Sequence, residues 1–270
     1  MGTKMYKLVV LDLDGTLLTT DKKITDRTKK VIWHLAAQGV IIALASGRTM
    51  SGIRGVIDEL SLKSESLYVI ACNGAQVWSE STQHFIANQC LSVDDVRFIR
   101  QWGRLIGMAC YTQHAGELVV EDNRDISLNA RRYSRLGIHV TTDTLLLDMP
   151  VPKVMFIEDQ FSIDLLAQQV PADIIKRYQC VRSEPHYYEV MAMGVNKGEA
   201  CRILAAYLGI ASVNILALGN ELNDCEMLRY AGKGIAMGNA SEVVQRCADD
   251  ITASNDEEGV AKAITRFCLN

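Results

Sequence analysis

No stretch of this 270-residue chain approaches the about 20 consecutive apolar residues that a membrane-spanning helix needs. Nor does the start, Met1-Gly2-Thr3-Lys4-Met5-Tyr6, carry a long apolar segment with a small-residue cleavage site; it leads straight into a strand-like run. Neither sign of charge dominates, because 28 Lys and Arg against 32 Asp and Glu leave a net charge of -4, which favours no polyanionic partner such as nucleic acid. The basic pairs Lys29-Lys30 and Arg131-Arg132 read as solvated helix faces. The eight cysteines are scattered and include no CxxC pair, and the five histidines (His34, His84, His114, His139, His186) form no spaced ligand set. A zinc site and a secreted disulfide framework are both disfavoured on that ground. Internal repeats and low-complexity tracts are also missing. What is present, 49% apolar and 22% charged residues, is the composition of a soluble globular protein. Free buried thiols then point to a reducing, cytoplasmic setting, and the length to one or two domains of roughly 100–200 residues each.

Short apolar runs alternate with amphipathic segments at both ends of the chain. Leu8 to Leu11, Val40 to Ala45 and Tyr68 to Cys72 are compact strand-like runs. Between the first two, Val31, Ile32, Leu35 and Ala36 mark one face of a helix over Thr25 to Gln38, with Thr25 as N-cap and Gly39 at its stop. The rhythm returns with a helix over Asn196 to Leu208, a strand over Val213 to Leu218, a helix over Asp224 to Tyr230 and a strand over Gly234 to Met237. Strands apolar on both faces and separated by helices predict a parallel sheet covered on both sides. Between about Phe85 and Glu189 the texture changes. Helical stretches (Asp94 to Leu105, Ile126 to Leu136, Phe161 to Val170) mix with strands that read as half-exposed (Met108 to Gln113, Glu117 to Glu121, Lys153 to Ile157, His186 to Val190). The predicted organisation is an α/β fold, a Rossmann-like parallel-sheet core over 1–84 and 190–270 with an inserted α+β domain over 85–189.

Four segments carry candidate chemistry. In Leu11-Asp12-Leu13-Asp14-Gly15-Thr16 a buried strand ends on two carboxylates two residues apart, at the carboxyl edge of the sheet where ligands bind in open α/β folds. Paired carboxylates repel unless a cation compensates, and Mg²⁺ takes oxygen ligands from one or two carboxylates plus a substrate phosphate. Gly15 permits the tight turn behind them. Leu44-Ala45-Ser46-Gly47-Arg48 again ends a strand, and its hydroxyl, glycine and helix-start N–H groups suit a phosphate. Val195-Asn196-Lys197-Gly198 puts a lysine at a helix start, where it could neutralise both a phosphate oxygen and the carboxylates. Leu218-Gly219-Asn220-Glu221-Leu222-Asn223-Asp224 follows another strand with further oxygen ligands, and Asn223 or Asp224 doubles as a helix cap.

In this order and at these strand ends, the four segments resemble the motifs of the haloacid dehalogenase superfamily, and most of all its Cof-type capped sugar phosphatases. Cys72-Asn73-Gly74-Ala75 and Tyr188-Glu189-Val190 extend the similarity, and the inserted segment has the size of that subclass's cap. The resemblance implies a Mg²⁺-dependent phosphomonoester hydrolase acting on small phosphorylated metabolites, with sugar phosphates first among them. It implies Asp12 as nucleophile and metal ligand, and Asp14 as general acid/base that touches the metal through its backbone carbonyl. It further implies phosphate binding by Ser46, Gly47, Asn223 and the Leu13 N–H, a bridging role for Lys197, and Asn220 and Glu221 at the remaining metal positions. Asn220 departs from the family, which has Asp there. An amide oxygen can coordinate Mg²⁺ but adds no charge, so metal affinity should fall, and either Glu221 or Asp224 could compensate.

The chemistry is coherent without the resemblance. A carboxylate attacks a phosphate dianion poorly because like charges repel; Mg²⁺ and Lys197 remove that obstacle. Asp14, protonated at first, can donate to the leaving alkoxide and then, as a carboxylate, activate the hydrolytic water. Two alternatives stand beside this reading: a catalytically weakened phosphate-ligand-binding protein, motivated by Asn220, and a phosphomutase. Arg48 is open between assisting the phosphate and a structural ion pair. His114, Glu117, Glu121 and Arg124 are candidate substrate selectors, and Tyr187-Tyr188 reads as core. Oligomeric state has no signature in the sequence.

Overall fold

The computed structural model describes residues 6–114, 117–120, 140–141 and 149–269. They separate into two compact units, Met1–Asn88 with Asn196–Asn270, and Gln89–Val195.

The first unit is built on a sheet whose parallel strands are β1 (Leu8–Asp12), β2 (Ile41–Ala45), β3 (Leu67–Ala71), β12 (Ile215–Gly219), β13 (Lys233–Ala236) and β14 (Asp250–Ile251). The order across the sheet is β14-β13-β12-β1-β2-β3, continued by an antiparallel hairpin of β4 (Gln76–Ser79) and β5 (His84–Asn88). β1 is central, in register with both neighbours: Leu11 pairs with Leu218 on one side and Leu44 on the other. Its five residues are all buried, because alternate side chains face opposite layers of helices. Leu8 and Val10 join Ala43, Ile70, Ala217 and Leu204 in one of those layers.

Helix α1 (Asp26–Ala37) starts where Thr25 Oγ1 accepts from Thr28 N at 3.2 Å, and the chain leaves it at Gly39, with a φ of 83°. α2 (Met50–Leu60) follows β2. α6, numbered after the three helices among the described residues of the second unit, spans Lys197–Leu208 and is capped by Asn196, whose Oδ1 accepts from Glu199 N at 2.8 Å. α7 (Cys225–Tyr230), α8 (Glu242–Gln245) and α9 (Gly259–Cys268) complete this unit.

The second unit carries a mostly antiparallel sheet, β10 (Tyr178–Glu184), β11 (Tyr187–Ala192), β9 (Val154–Ile157), β6 (Cys110–His114), β7 (Glu117–Val119) and β8 (Val140–Thr141) in that order. Its helices are α3 (Val93–Leu105), α4 (Gln160–Gln168) and α5 (Ala172–Arg177). The half-exposed reading of Lys153 to Ile157 does not hold, since β9 is buried along its whole length. Val154 and Phe156 pack into one apolar cluster with Trp102 and Ile163, while Met155 and Ile157 pack into another with Tyr111 and Leu118. A strand between two apolar layers reads as a continuous run and loses its alternation. Lys153 and Glu189 form a buried ion pair at 2.6 Å in the same sheet. Tyr188 is core, as expected.

The junctions expected near 84/85 and 189/190 sit beside strands that run on: β5 pairs with β4 and so continues the first sheet to Asn88, and β11 extends to Ala192. The helix expected over Ile126 to Leu136, and the candidate selectors Glu121 and Arg124, lie outside the described residues. His114 and Glu117 fall on β6 and β7.

Candidate active site

Asp12 is the last residue of β1, and its side chain is buried. The chain then folds back sharply: Leu17 N donates to the Asp12 carbonyl at 3.2 Å, and Thr16 N and Leu18 N donate to the Leu13 carbonyl at 3.2 and 2.9 Å. Gly15 takes a φ of 79° in this turn, and a Cβ there would lie 2.5 Å from Asn220 Nδ2, so both backbone and neighbour require glycine.

Lys197, the first residue of α6, is the other pole. It is 1% exposed, and its ammonium donates to Asp12 Oδ1 at 2.7 Å and to Asp224 Oδ1 at 2.6 Å. Asp224, fully buried, uses Oδ2 to accept from the backbone N–H of Asn220 at 2.9 Å and of Glu221 at 3.0 Å. Both of its oxygens are therefore committed to holding Lys197 and the loop. Burial and the Asp224 charge push the Asp12 carboxyl above its ordinary range, while Lys197 pulls it down. Burial opposes the Lys197 charge, yet Asp12 and Asp224 together hold the ammonium firmly protonated.

Asn220 is the third pole. Its outer amide atom lies 3.0 Å from Asp12 Oδ2, 2.9 Å from the Asp14 carbonyl and 2.9 Å from Thr16 Oγ1. With the amide nitrogen inward it donates to all three. With the oxygen inward, as a bound cation would favour, it would join Asp12 Oδ2 and the Asp14 carbonyl in an all-oxygen donor set of the kind Mg²⁺ takes. The set of one carboxylate, one backbone carbonyl and one amide therefore fits Mg²⁺. Among the described residues no group of three His, Cys, Asp or Glu could hold a metal ion. Glu221 stands at the rim, where its carboxylate caps the turn over Leu222–Asp224 and reaches Asn220 Nδ2 only at 3.5 Å. Burial and Asp224 raise its carboxyl above the usual range.

Asp14, half-exposed, makes a bidentate pair with Arg48, Nε to Oδ2 at 2.7 Å and the terminal nitrogen to Oδ1 at 2.6 Å, and accepts from Lys22 Nζ at 2.7 Å. Burial opposes its charge, but the Arg48 and Lys22 bonds win and hold the carboxyl below its ordinary value. A protonated Asp14 is thus disfavoured in this arrangement, contrary to the starting state read from sequence. Lys22 went unnoticed there because it lies on an exposed turn with nothing around it to mark a role. Arg48, left open by the sequence, is this ion pair.

Ser46 is buried at the end of β2, and its Oγ accepts from Arg48 N at 3.1 Å. Gly47 lies against the Asn73 amide, and Asn223 Nδ2 donates to Asn73 Oδ1 at 2.9 Å. The first unit thus brings Asp12, Leu13, Asp14, Ser46, Gly47, Lys197, Asn220, Glu221 and Asn223 to the carboxyl ends of β1, β2 and β12 and to the loops that follow them.

Residues 9–264 match the haloacid dehalogenase-like hydrolase family. The chain belongs to that family. A protein named as a phosphatase, YxeH of Bacillus subtilis strain 168, is 34% identical over 98% of this chain and 99% of its own. The 5-amino-6-(5-phospho-D-ribitylamino)uracil phosphatase YcsE of the same strain is 28% identical over 97% of this chain and 96% of its own. A haloacid dehalogenase-like hydrolase from Bacteroides thetaiotaomicron superposes with a TM-score of 0.86 at 30% identity, covering 97% of this chain and 99% of that one. The haloacid dehalogenase-like fold and the phosphatases among its relatives make this chain a phosphatase. Among the described residues no helix is long and apolar enough to cross a membrane.

Proposed function

We propose that this phosphatase hydrolyses phosphomonoesters of small polyhydroxylated metabolites, sugar phosphates above all, through a phospho-aspartate on Asp12 with Mg²⁺ as cofactor. One observation carries the reading: a buried carboxylate at the end of the central strand has one oxygen on the Lys197 ammonium and the other 3.0 Å from the Asn220 amide, which also lies 2.9 Å from the Asp14 carbonyl. When bound there, Mg²⁺ supplies positive charge that offsets repulsion between carboxylate and phosphate. Asp12, Asp14 through its carbonyl, and Asn220 would hold it; Glu221 belongs to the outer rim.

Lys197 keeps the Asp12 carboxylate oriented and charged for attack on phosphorus. Ser46 and Gly47, with Asn223 and the Leu13 N–H, seat the phosphoryl oxygens. Asp14 gives a proton to the departing alkoxide and, as a carboxylate, takes one from the water that releases phosphate. The Arg48 and Lys22 bonds favour the second of these forms, so supplying the proton is the demanding half of the cycle. Under this reading the unit Gln89–Val195 is the cap that selects the leaving group, and the setting is the reducing cytoplasm that eight free cysteines suit. The polyol character of the substrate is supported by the phosphorylated ribityl chain in the name of the YcsE relative.

The test is hydrolysis of p-nitrophenyl phosphate with Mg²⁺, followed by a panel of phosphorylated metabolites. Turnover lost in EDTA and in Asp12→Asn is the expected result. An inactive wild type whose activity appears in Asn220→Asp would instead make this chain a weakened phosphate-binding protein. Isomer formation without phosphate release would make it a mutase.

A further inference from the structure

The turn that carries Asp14 contains a hinge. Gly15 holds a φ of 79°, and glycine populates both signs of φ about as readily, so the local chain alone does not fix which way the neighbouring Asp14 aims. Ties from elsewhere do that. One is the contact of Thr16 Oγ1 with the Asn220 amide at 2.9 Å. The others come from Asn239, just beyond β13, and from Asn255 and Asp256, just ahead of α9. Asn239 Nδ2 donates to the Gly15 carbonyl at 2.9 Å, while its Oδ1 accepts from Asn255 N at 3.1 Å. One of these partners can only accept and the other can only donate, so the orientation of the amide is unambiguous. Asn255 Nδ2 donates to the Leu18 carbonyl at 3.0 Å, and the Asp256 carboxylate accepts from the N–H and the hydroxyl of Thr20 at 2.8 and 2.6 Å. The loop is thereby held at positions 15, 18 and 20. The holding segment is itself braced: Gly238 N donates to the Ala253 carbonyl at 3.1 Å, and Ser254 and Glu257 form a capping box around the turn Asn255–Glu257.

We propose that Asn239 is a positioning residue for Asp14, holding the glycine beside it so that Asp14 presents its carbonyl to the metal and its carboxylate to the leaving group. The inference rests on the phosphatase reading above and deepens it. Any change in the Gly15 dihedrals rotates its two flanking peptides against each other. One of them ends in the carbonyl that Asn239 holds, and the other carries the Asp14 carbonyl, 2.9 Å from the Asn220 amide. Fixing the first therefore fixes the second. Asn239 is exposed, so water can replace its two bonds at little cost in stability. Water does not hold a carbonyl in one place, however, and a catalytic group displaced by about 1 Å can lose roughly a hundredfold in rate. Aspartate at this position would keep an oxygen for Asn255 N and lose the donor to Gly15, so it breaks the tie and leaves the brace.

The experiment compares wild type, Asn239→Asp and Asn239→Ala in three ways: melting temperature, Mg²⁺ affinity by calorimetry without substrate, and kcat and KM for p-nitrophenyl phosphate at saturating Mg²⁺. Alanine removes both bonds without adding charge, so it carries the test if the aspartate variant does not fold. The expected result is a fall in kcat of about tenfold, between the few-fold scale of one hydrogen bond and the roughly hundredfold cost of a misplaced catalytic group. Mg²⁺ affinity should fall by about fivefold, the scale of one hydrogen bond. KM, set by the Ser46 and Gly47 side of the site, should stay within about twofold, and melting temperatures close to wild type. A folded variant whose kcat or Mg²⁺ affinity stays within twofold of wild type overturns the inference and leaves the phosphatase reading intact. Failure of both variants to fold also overturns it, since the tie would then be structural. A wild type that neither hydrolyses the ester nor binds Mg²⁺ would sink both.

Discussion

Replacing Lys197 with methionine keeps the volume of the side chain and removes the one ammonium between two buried carboxylates. In the wild type that ammonium lies 2.7 Å from Asp12 and 2.6 Å from Asp224, with almost no solvent near any of the three. Without it, a carboxylate must either stay charged and unpaired, at about 3–5 kcal/mol for a broken buried pair, or take up a proton. A carboxyl kept protonated at pH 7.5 against a reference near 3.9 costs about 5 kcal/mol at ~1.4 kcal/mol per pH unit. The two routes agree, so Lys197→Met should destabilise the metal-free protein by roughly 4 kcal/mol, a fall of roughly 10 °C in melting temperature. The pH dependence has a definite sign. Burial and Asp224 already raise the folded-state value of Asp12, and losing Lys197 raises it further. The folded state then binds more protons than the unfolded one, so stability should decline as pH rises above about 4. Thermal melts of both proteins in EDTA from pH 5 to 8 read this directly, with the gap between them widening toward pH 8. A difference under 1 kcal/mol, or one that does not change with pH, would refute the charge-bridging account of Lys197.

Other outcomes follow from the same geometry. Asn220→Asp adds a negative charge to the all-oxygen donor set, so Mg²⁺ should bind roughly tenfold more tightly by calorimetry; unchanged affinity would remove Asn220 from the ligand set. Arg48→Ala lets the depressed Asp14 carboxyl return toward its ordinary value. The loss of kcat/KM with rising pH should then move to higher pH for alkyl phosphates, whose leaving groups need a proton, and stay put for p-nitrophenyl phosphate. In the second unit, Glu189→Ala breaks the buried ion pair with Lys153 and should destabilise the protein by about 3–5 kcal/mol in urea titrations.

The core was legible because buried parallel strands are unbroken apolar runs and ligands gather at their carboxyl ends. Asp12, Ser46 and Asn220 stand at or just past strand ends that composition alone marks, and Lys197 follows a cap, Asn196, of the right type. Pairing between distant side chains was not legible. Nothing in the sequence joins Asp14 to Arg48, 34 residues on, and that bond helps to hold the Asp14 pKa below that expected of a proton donor. Glu221 looked like a ligand by type and position, yet backbone geometry turns its carboxylate to capping duty and gives the Lys197 contact to Asp224. The hairpin β4-β5 escaped notice because Gln76–Ser79 and His84–Asn88 are short and mixed in polarity. β9 is hard to read for the opposite reason, since four apolar residues between two layers give no alternation.

The account turns on whether phosphorus is ever bonded to Asp12. Mixing enzyme, Mg²⁺ and a radiolabelled phosphomonoester for a single turnover, quenching in acid and mapping the label decides it. Label on the peptide containing Asp12, discharged by hydroxylamine as an acyl phosphate should be and missing in Asp12→Asn, is the expected result. Release of phosphate within the first turnover while no label ever reaches the protein would contradict the account.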